Sequence, residues 1–260
     1  MSLRITILGS GSKGNAALVC TERVRVLVDA GFSYRTLAKR MAAVGESSDN
    51  LDAVLVTHEH SDHISGLKTL IKKQKKPTPV YLTERTAGAL DWGDVQPAVE
   101  TFQAGARLTI GDLEVDTFTI PHDAVDPVGF CFQSGGFKVA HATDLGYLTE
   151  SVKHRIRGAD MLILESNHDL DMLKVGPYPW VVKQRVMSRV GHLSNDAVAE
   201  YLTSEFDRTT RILVLAHLSG NNNHPEVARM FAGDALQRNG ACDTRLLVAK
   251  QDEPSEVFEF

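Results

Sequence analysis

The sequence predicts a four-layer α/β/β/α sandwich, on three observations. Short apolar runs of strand length crowd the first third of the chain, two hairpin-like pairs follow in the middle, and the last third alternates strands with helices. Strands followed by mixed strands and helices call for two sheets packed face to face, with helices on both outer faces.

The elements follow in order. Strands are expected at Ile5–Leu8, Ala17–Thr21, Val24–Asp29 and Ala53–Thr57, with a helix over Tyr34–Val44 that ends near Gly45. A second helix is expected from Ile64 to Gln74, stopped by Pro77. Arg107–Ile110 and Leu113–Thr119 pair across Gly111-Asp112, and Val128–Gln133 pairs with Lys138–Thr143 across Ser134-Gly135-Gly136. The last third reads as helix Ser151–Arg157, strand Met161–Glu165, helix Val181–Val190, helix Asp196–Phe206, strand Ile212–Ala216 and helix Pro225–Arg238.

With 260 residues, 43% of them hydrophobic, the chain can bury one large core, and no linker or repeat divides it, so residues 1–260 are expected to form one domain. A net charge of −5 argues against a globally basic nucleic-acid or anionic-membrane binder, so any polyanion site must be a local patch. The N-terminus carries no charged leader or long apolar stretch, which points to a soluble cytoplasmic protein with no membrane association. Cys20, Cys131 and Cys242 are odd in number and widely spaced, as expected of buried reduced thiols. No feature calls for an obligate protein partner.

The densest chemistry is His58-Glu59-His60-Ser61-Asp62-His63, between an apolar strand and a helix. Adjacent side chains diverge, so these imidazoles and this carboxylate cannot all reach one ion, and two ions resolve the geometry. His58 and His60 would face one metal, Asp62 and His63 a second. Each needs further ligands, and three candidates stand at strand ends: His122, Asp144, which could bridge both metals, and His217.

This order of motifs resembles the metallo-β-lactamase superfamily, over nearly the whole chain. The resemblance implies the four-layer fold just described and puts His58, His60 and His122 on the first ion and Asp62, His63 and His217 on the second, with Asp144 between them. It also implies that Asp29, in Val28-Asp29-Ala30-Gly31, supports a ligand histidine from behind. Two divalent ions, Zn or Mn with Fe possible, could then share a hydroxide and clamp a phosphodiester, with Asp62 orienting or deprotonating the attacking water.

Histidine at position 60 favours hydrolysis over oxygen chemistry, and Asp144 stands where true β-lactamases usually carry cysteine. Gly191-His192-Leu193-Ser194 ahead of His217 is similar to the phosphodiesterase branch that includes ribonuclease Z, which implies that His192 stabilises phosphoryl charge or protonates the leaving group. A plain alternative makes His192 the cap of the helix starting near Ser194. The other histidines read as structural or solvated: His141, His154, and His224, which opens a helix.

The YycJ/WalJ-type group is more similar still, in the turn Gly9-Ser10-Gly11-Ser12-Lys13-Gly14-Asn15, the segment Glu165-Ser166-Asn167-His168-Asp169 and Gly191-His192-Leu193-Ser194-Asn195. The turn departs from the group at Lys13 and Ala16. The resemblance places Asn167 and His168 near the metal cleft and implies a 5′-exonuclease acting on DNA.

Cations for a polymeric substrate come from Lys68, Lys72, Lys73, Lys75 and Lys76, or from Lys183, Arg185 and Arg189 with Tyr178 and Trp180 nearby, a mix suited to single-stranded DNA. Either run could instead be the solvated face of a helix. The competing functions are a small-molecule phosphodiesterase acting on a cyclic or substituted phosphate, a thioesterase or lactamase, and a metal-bearing binding protein. His192 weighs against the second of these readings and the full ligand set against the last.

Overall fold

The computed structural model describes residues 2–260. The first sheet is built from β1 (Arg4–Gly9), β2 (Ala16–Cys20), β3 (Arg25–Val28), β4 (Ala53–Leu55), β5 (Val80–Thr83) and β6 (Val99–Phe102). The second takes β7 (Arg107–Ile110), β8 (Leu113–Thr119), β9 (Val128–Ser134), β10 (Phe137–Ala142), β11 (Met161–Glu165), β12 (Ile212–Ala216) and β13 (Arg245–Val248). The short β14 (Phe258–Glu259) returns to the first sheet, antiparallel to β1. Each sheet mixes hairpins with parallel strands, the parallel pairs being β3 to β6 in one and β10 to β13 in the other.

Among the described residues nine α-helices fill the outer layers: α1 (Tyr34–Ala43), α2 (Ser61–Ile64), α3 (Leu67–Lys73), α4 (Glu84–Ala89), α5 (Glu150–Ile156), α6 (Leu170–Val175), α7 (Trp180–Val186), α8 (Asn195–Ser204) and α9 (Pro225–Asn239). Three apolar cores establish the layering. Between the sheets lie Ile5, Ile7, Val26, Val28, Phe130, Ile163 and Val214. Strand alternation sends their neighbours outward, so Leu27 and Val54 meet Leu37 and Met41 of α1 and Leu70 of α3, while Leu162 and Leu213 meet Val152 of α5, Leu202 of α8 and Ala232 of α9. Helix, sheet, sheet and helix therefore follow in sequence, as expected.

The expected helix over Ile64–Gln74 is broken. Gly66 donates its N–H to Ala30 O at 2.8 Å and Ser65 Oγ donates to Gly31 O at 2.7 Å, drawing the backbone against the loop after β3. A Cβ on Gly31 would fall 1.7 Å from Asp62 O, so this approach requires glycine. The result is a separate short helix, α2, that carries Asp62 and His63. Likewise the expected Val181–Val190 helix ends at Val186, because the chain folds back until His192 donates its N–H to Val186 O at 2.9 Å.

Several short elements between proline- and glycine-rich segments, β5, α4, β6, α6, β13 and β14, had no counterpart in the expected pattern. Cys20 and Cys131 are buried, but Cys242 is exposed, because it lies in the turn beyond α9. Among the described residues no helix is long and apolar enough to cross a membrane.

Candidate metal centre

The ends of β3, β4, β10, β11 and β12 converge on one cleft between the sheets' edges. Among the described residues three non-glycines adopt positive φ, namely Asp29 (59°), Asp144 (60°) and His217 (55°), and each follows a strand that ends here. Left-handed backbone costs roughly 1 kcal/mol or more for such residues, so the surrounding contacts hold them in place against local preference.

His58, His60 and His122 form one group, with His122 Nε2 3.2 Å from His60 Nδ1 and ring centroids 4.6 to 5.0 Å apart. Asp62, His63, Asp144 and His217 form the second: Asp144 Oδ2 lies 3.3 Å from His63 Nε2, Asp144 Oδ1 lies 3.2 Å from His217 Nε2, and Asp62 Oδ2 lies 3.3 Å from the same nitrogen. Asp144 Oδ1 is also 4.0 Å from His122 Nε2, so this carboxylate sits between the two groups.

The far nitrogen of most rings is engaged behind the cleft. His63 Nδ1 donates to Asp29 Oδ2 at 2.8 Å, His122 Nδ1 to Gly191 O at 3.2 Å, and His217 Nδ1 to Glu165 Oε1 at 2.9 Å; His58 Nδ1 meets Thr57 Oγ1 at 3.0 Å. An N–H fixed at Nδ1 leaves the Nε2 lone pair facing the centre, the tautomer a metal requires. Asp29 is itself held by Thr57 N–H and Oγ1.

The charges agree with this geometry. Burial and neighbouring imidazoles hold His58 well below its ordinary range, and burial lowers His122, so both lone pairs are free. Burial also opposes charge on His217, yet the carboxylates of Asp144, Asp62 and Glu165 push it up to about 10. Although burial works against ionisation of Asp62 and Asp144, the histidines around them hold both carboxyls below their usual range. A cluster of buried carboxylates and inward lone pairs calls for cations, and His58 Nε2 is buried without a hydrogen-bond partner. The donor set fits divalent metal ions.

Comparison with known proteins agrees. Residues 24–218 match the β-lactamase superfamily domain. The chain belongs to the β-lactamase superfamily. Within it the chain falls in the YycJ/WalJ-like group, being 38% identical to exodeoxyribonuclease YycJ of Bacillus anthracis over 92% of this chain and 91% of that one. It is 35% identical to exodeoxyribonuclease WalJ of Streptococcus pneumoniae over 88% of this chain and 87% of that one. Among solved structures, the metallo-β-lactamase fold protein YhfI from Bacillus subtilis superposes with a TM-score of 0.78 at 20% identity, covering all of both chains.

The cleft also holds residues beyond these two groups. His192 lines a space of about 300 Å³ together with Ser12, His60, Asp62, Asp123 and Arg185. The helix cap once open to His192 is supplied by Ser194, whose side chain accepts from Ala197 N–H. His192 Nδ1 instead lies 2.8 Å from Glu165 Oε1. Glu165, fully buried at the end of β11, was not singled out from the sequence. Its Oε1 receives both His192 and His217, and its Oε2 accepts the N–H groups of Leu145 (3.0 Å) and Leu193 (3.1 Å). One of these oxygens also lies within 4.8 Å of ligand atoms of Asp144, His192 and His217, and with both oxygens receiving donors Glu165 positions the two histidines. Asn15 was likewise missed: Oδ1 accepts from Ser10 Oγ and Gly11 N, while Nδ2 reaches Asp62 Oδ2 at 3.3 Å, so the N-terminal Gly-Ser turn braces the cluster.

The residues expected to touch substrate divide. Arg185 lines the cleft and pairs with Asp123. Asn167 is buried behind it, donating from Nδ2 to His217 O at 2.9 Å, and His168 is buried as well, its Nδ1 without a partner. Lys183 does not reach the cleft: it is 8% exposed, and its Nζ donates to Lys174 O at 2.7 Å. Neither the substrate contact nor the solvated face expected of it holds, because its stem packs inward and its ammonium closes on the end of α6. Lys183→Met, which keeps the aliphatic stem, should cost about 1–2 kcal/mol in urea unfolding and leave KM within about twofold. A large rise in KM with unchanged stability would return the ammonium to substrate. Of the other basic run, Lys68, Lys72, Lys75 and Lys76 pair with Asp91, Asp94, Asp49 and Asp52 on the outer surface.

Proposed function

We propose that this chain is a dinuclear metal-dependent phosphodiesterase that degrades DNA from the 5′ end, with single strands favoured. The observation that carries this reading is His192, aimed into the cleft beside two ligand groups and held there by Glu165. His58, His60 and His122 would hold one ion, Asp62, His63 and His217 the other, and Asp144 both. Zn or Mn suits these N/O donors, with Fe possible. When bound, the ions supply Lewis acidity for water activation and neutralise phosphate charge.

The chain's own groups perform the remaining work. Asp62, whose Oδ2 faces the cleft between His63 and His217, orients the attacking water as a hydrogen-bond acceptor. With Nδ1 committed to Glu165, His192 presents Nε2 to the phosphoryl group, where it stabilises developing charge and protonates the leaving oxygen. Arg185 steers the polyanion into the cleft. The names of the YycJ and WalJ relatives support DNA as the polymer. Buried thiols at Cys20 and Cys131, raised to about 11 by burial, suit the reducing cytoplasm, and we read residues 1–260 as one domain.

Metal-replete protein should contain two ions per chain by elemental analysis. Stripping them with a chelator should abolish turnover and lower the melting temperature, with Zn or Mn restoring both. The deciding panel is 5′-phosphorylated single-stranded DNA, duplex DNA, RNA, a cyclic nucleotide and a thioester. Single-stranded DNA should be the best substrate, and cleavage of the cyclic nucleotide alone would overturn the nuclease reading.

A further inference from the structure

The turn between β1 and β2, residues 10–15, is fastened by a segment more than 230 positions away in the chain. Beyond β13, the Gln251 side chain bonds it twice: Oε1 accepts Lys13 N–H at 2.8 Å, and Nε2 donates to Gly14 O at 2.8 Å. Alongside, Lys250 O accepts Ser10 N–H at 3.0 Å. A Cβ on Gly11 would fall 2.7 Å from Gln251 Oε1, so glycine at that position lets the amide lie flat against the backbone.

What this turn carries is aimed at one of the two ligand groups. Ser10 Oγ accepts His217 N–H at 2.9 Å and donates to Asn15 Oδ1 at 3.0 Å. His217 needs such a hold, because its φ of 55° runs against local preference. Since Asn15 Oδ1 also accepts Gly11 N–H, the amide is fixed with Nδ2 inward, 3.3 Å from Asp62 Oδ2 and 3.1 Å from His63 Nε2. The main chain repeats the link, Asn15 N–H donating to Asp62 O at 2.8 Å. Asp62 and His63 follow β4 of the first sheet and His217 follows β12 of the second, so the turn is where the two halves of this group are tied together. The other group leans elsewhere, His58 on Thr57 and His122 on Gly191. Among the described residues no hydrogen bond joins the turn to His58, His60 or His122.

We infer that Gln251 is a positioning residue for one ion of the pair: by clamping the turn it sets Ser10 and Asn15, and through them the spacing of Asp62, His63 and His217. The inference rests on the two-ion reading and adds that the two sites are supported separately. Ligand distances must hold to about 0.2 Å for a stable site, so slack in the turn is felt as lost affinity before it is felt as lost fold.

The test titrates metal-free protein with Zn²⁺ by calorimetry in two backgrounds. His122→Ala leaves the group of Asp62, His63 and His217 to bind, and His217→Ala leaves the group of His58, His60 and His122. Adding Gln251→Ala should weaken Zn²⁺ binding about tenfold in the first background and less than about twofold in the second. Ser10→Ala, which removes only the hydroxyl between His217 and Asn15 and keeps the main-chain bond to Lys250, should give the same pattern. A general loosening of the fold would weaken both backgrounds equally. That result, or no weakening in either, overturns the inference. Wild type that takes up two ions and cleaves no DNA overturns the nuclease reading alone, whereas wild type that takes up fewer overturns the two-ion reading and this inference with it.

Discussion

Asp62→Asn is expected to lower kcat at least about a thousandfold, equivalent to roughly 4 kcal/mol of transition-state stabilisation, while leaving the fold intact. The carboxylate faces the ring nitrogens of His63 and His217 at 3.5 and 3.3 Å and is partly open to the cleft, whereas that of Asp144 is buried. It can therefore both hold an ion and orient water. Asparagine keeps the shape and loses the negative charge and one acceptor, so both roles fail together. The structural role of this position lies in its main chain: Asp62 O accepts the N–H of Asn15 at 2.8 Å, and that bond survives the substitution. Circular dichroism should be unchanged and the stability loss no more than about 1–2 kcal/mol. The variant should still bind single-stranded DNA, which separates loss of chemistry from loss of substrate. Near-full activity in Asp62→Asn would remove this site from the mechanism.

What the sequence showed and what it hid follow one physical division. The cluster from His58 to His63 was legible because so many ligating groups within one loop have few alternative uses, and His122, Asp144 and His217 because each interrupts an apolar strand end. The two-sheet architecture was legible in the alternation that puts Ile5 and Ile7 in one core and Leu8 in another. Strands such as β14, two residues long, exist only through their pairing with β1 at the other end of the chain, and no local pattern announces them. The role of Glu165 was hidden for the same reason: the resemblance marked its segment, but the partners that give the carboxylate its role are 27 and 52 residues away. Lys183 shows the converse error. Helical spacing revealed that α7 has two faces but not which one meets the protein, a matter settled by Lys174 O waiting for a donor.

Glu165→Gln is the second change with a large expected effect, and the argument is one of acceptors. Glu165 receives four donors, two imidazole N–H groups on Oε1 and two backbone N–H groups on Oε2. Glutamine has one oxygen and one NH₂, so in either orientation two donors face a third N–H. Metal affinity should fall about 10- to 100-fold through His217, and kcat at saturating metal about 100-fold through His192. The pH profile separates these effects. Burial raises the Glu165 carboxyl pKa but the neighbouring histidines, His192 foremost, lower it to about 2, so the group is ionised throughout the working range. Its stabilisation is present above the unfolded value of 4.5 and is lost as pH falls towards about 2. For His192, burial opposes protonation and the Glu165 carboxylate outweighs it, raising the pKa. A proton donor with a raised pKa is active below that pKa and fails as pH rises through it. Removing the carboxylate must then move the alkaline limb of kcat to lower pH, measured with metal saturating. If Glu165→Gln lowers kcat by one factor at every pH and leaves the limb in place, Glu165 only shapes the metal site, and His192 is not the proton donor that it poises.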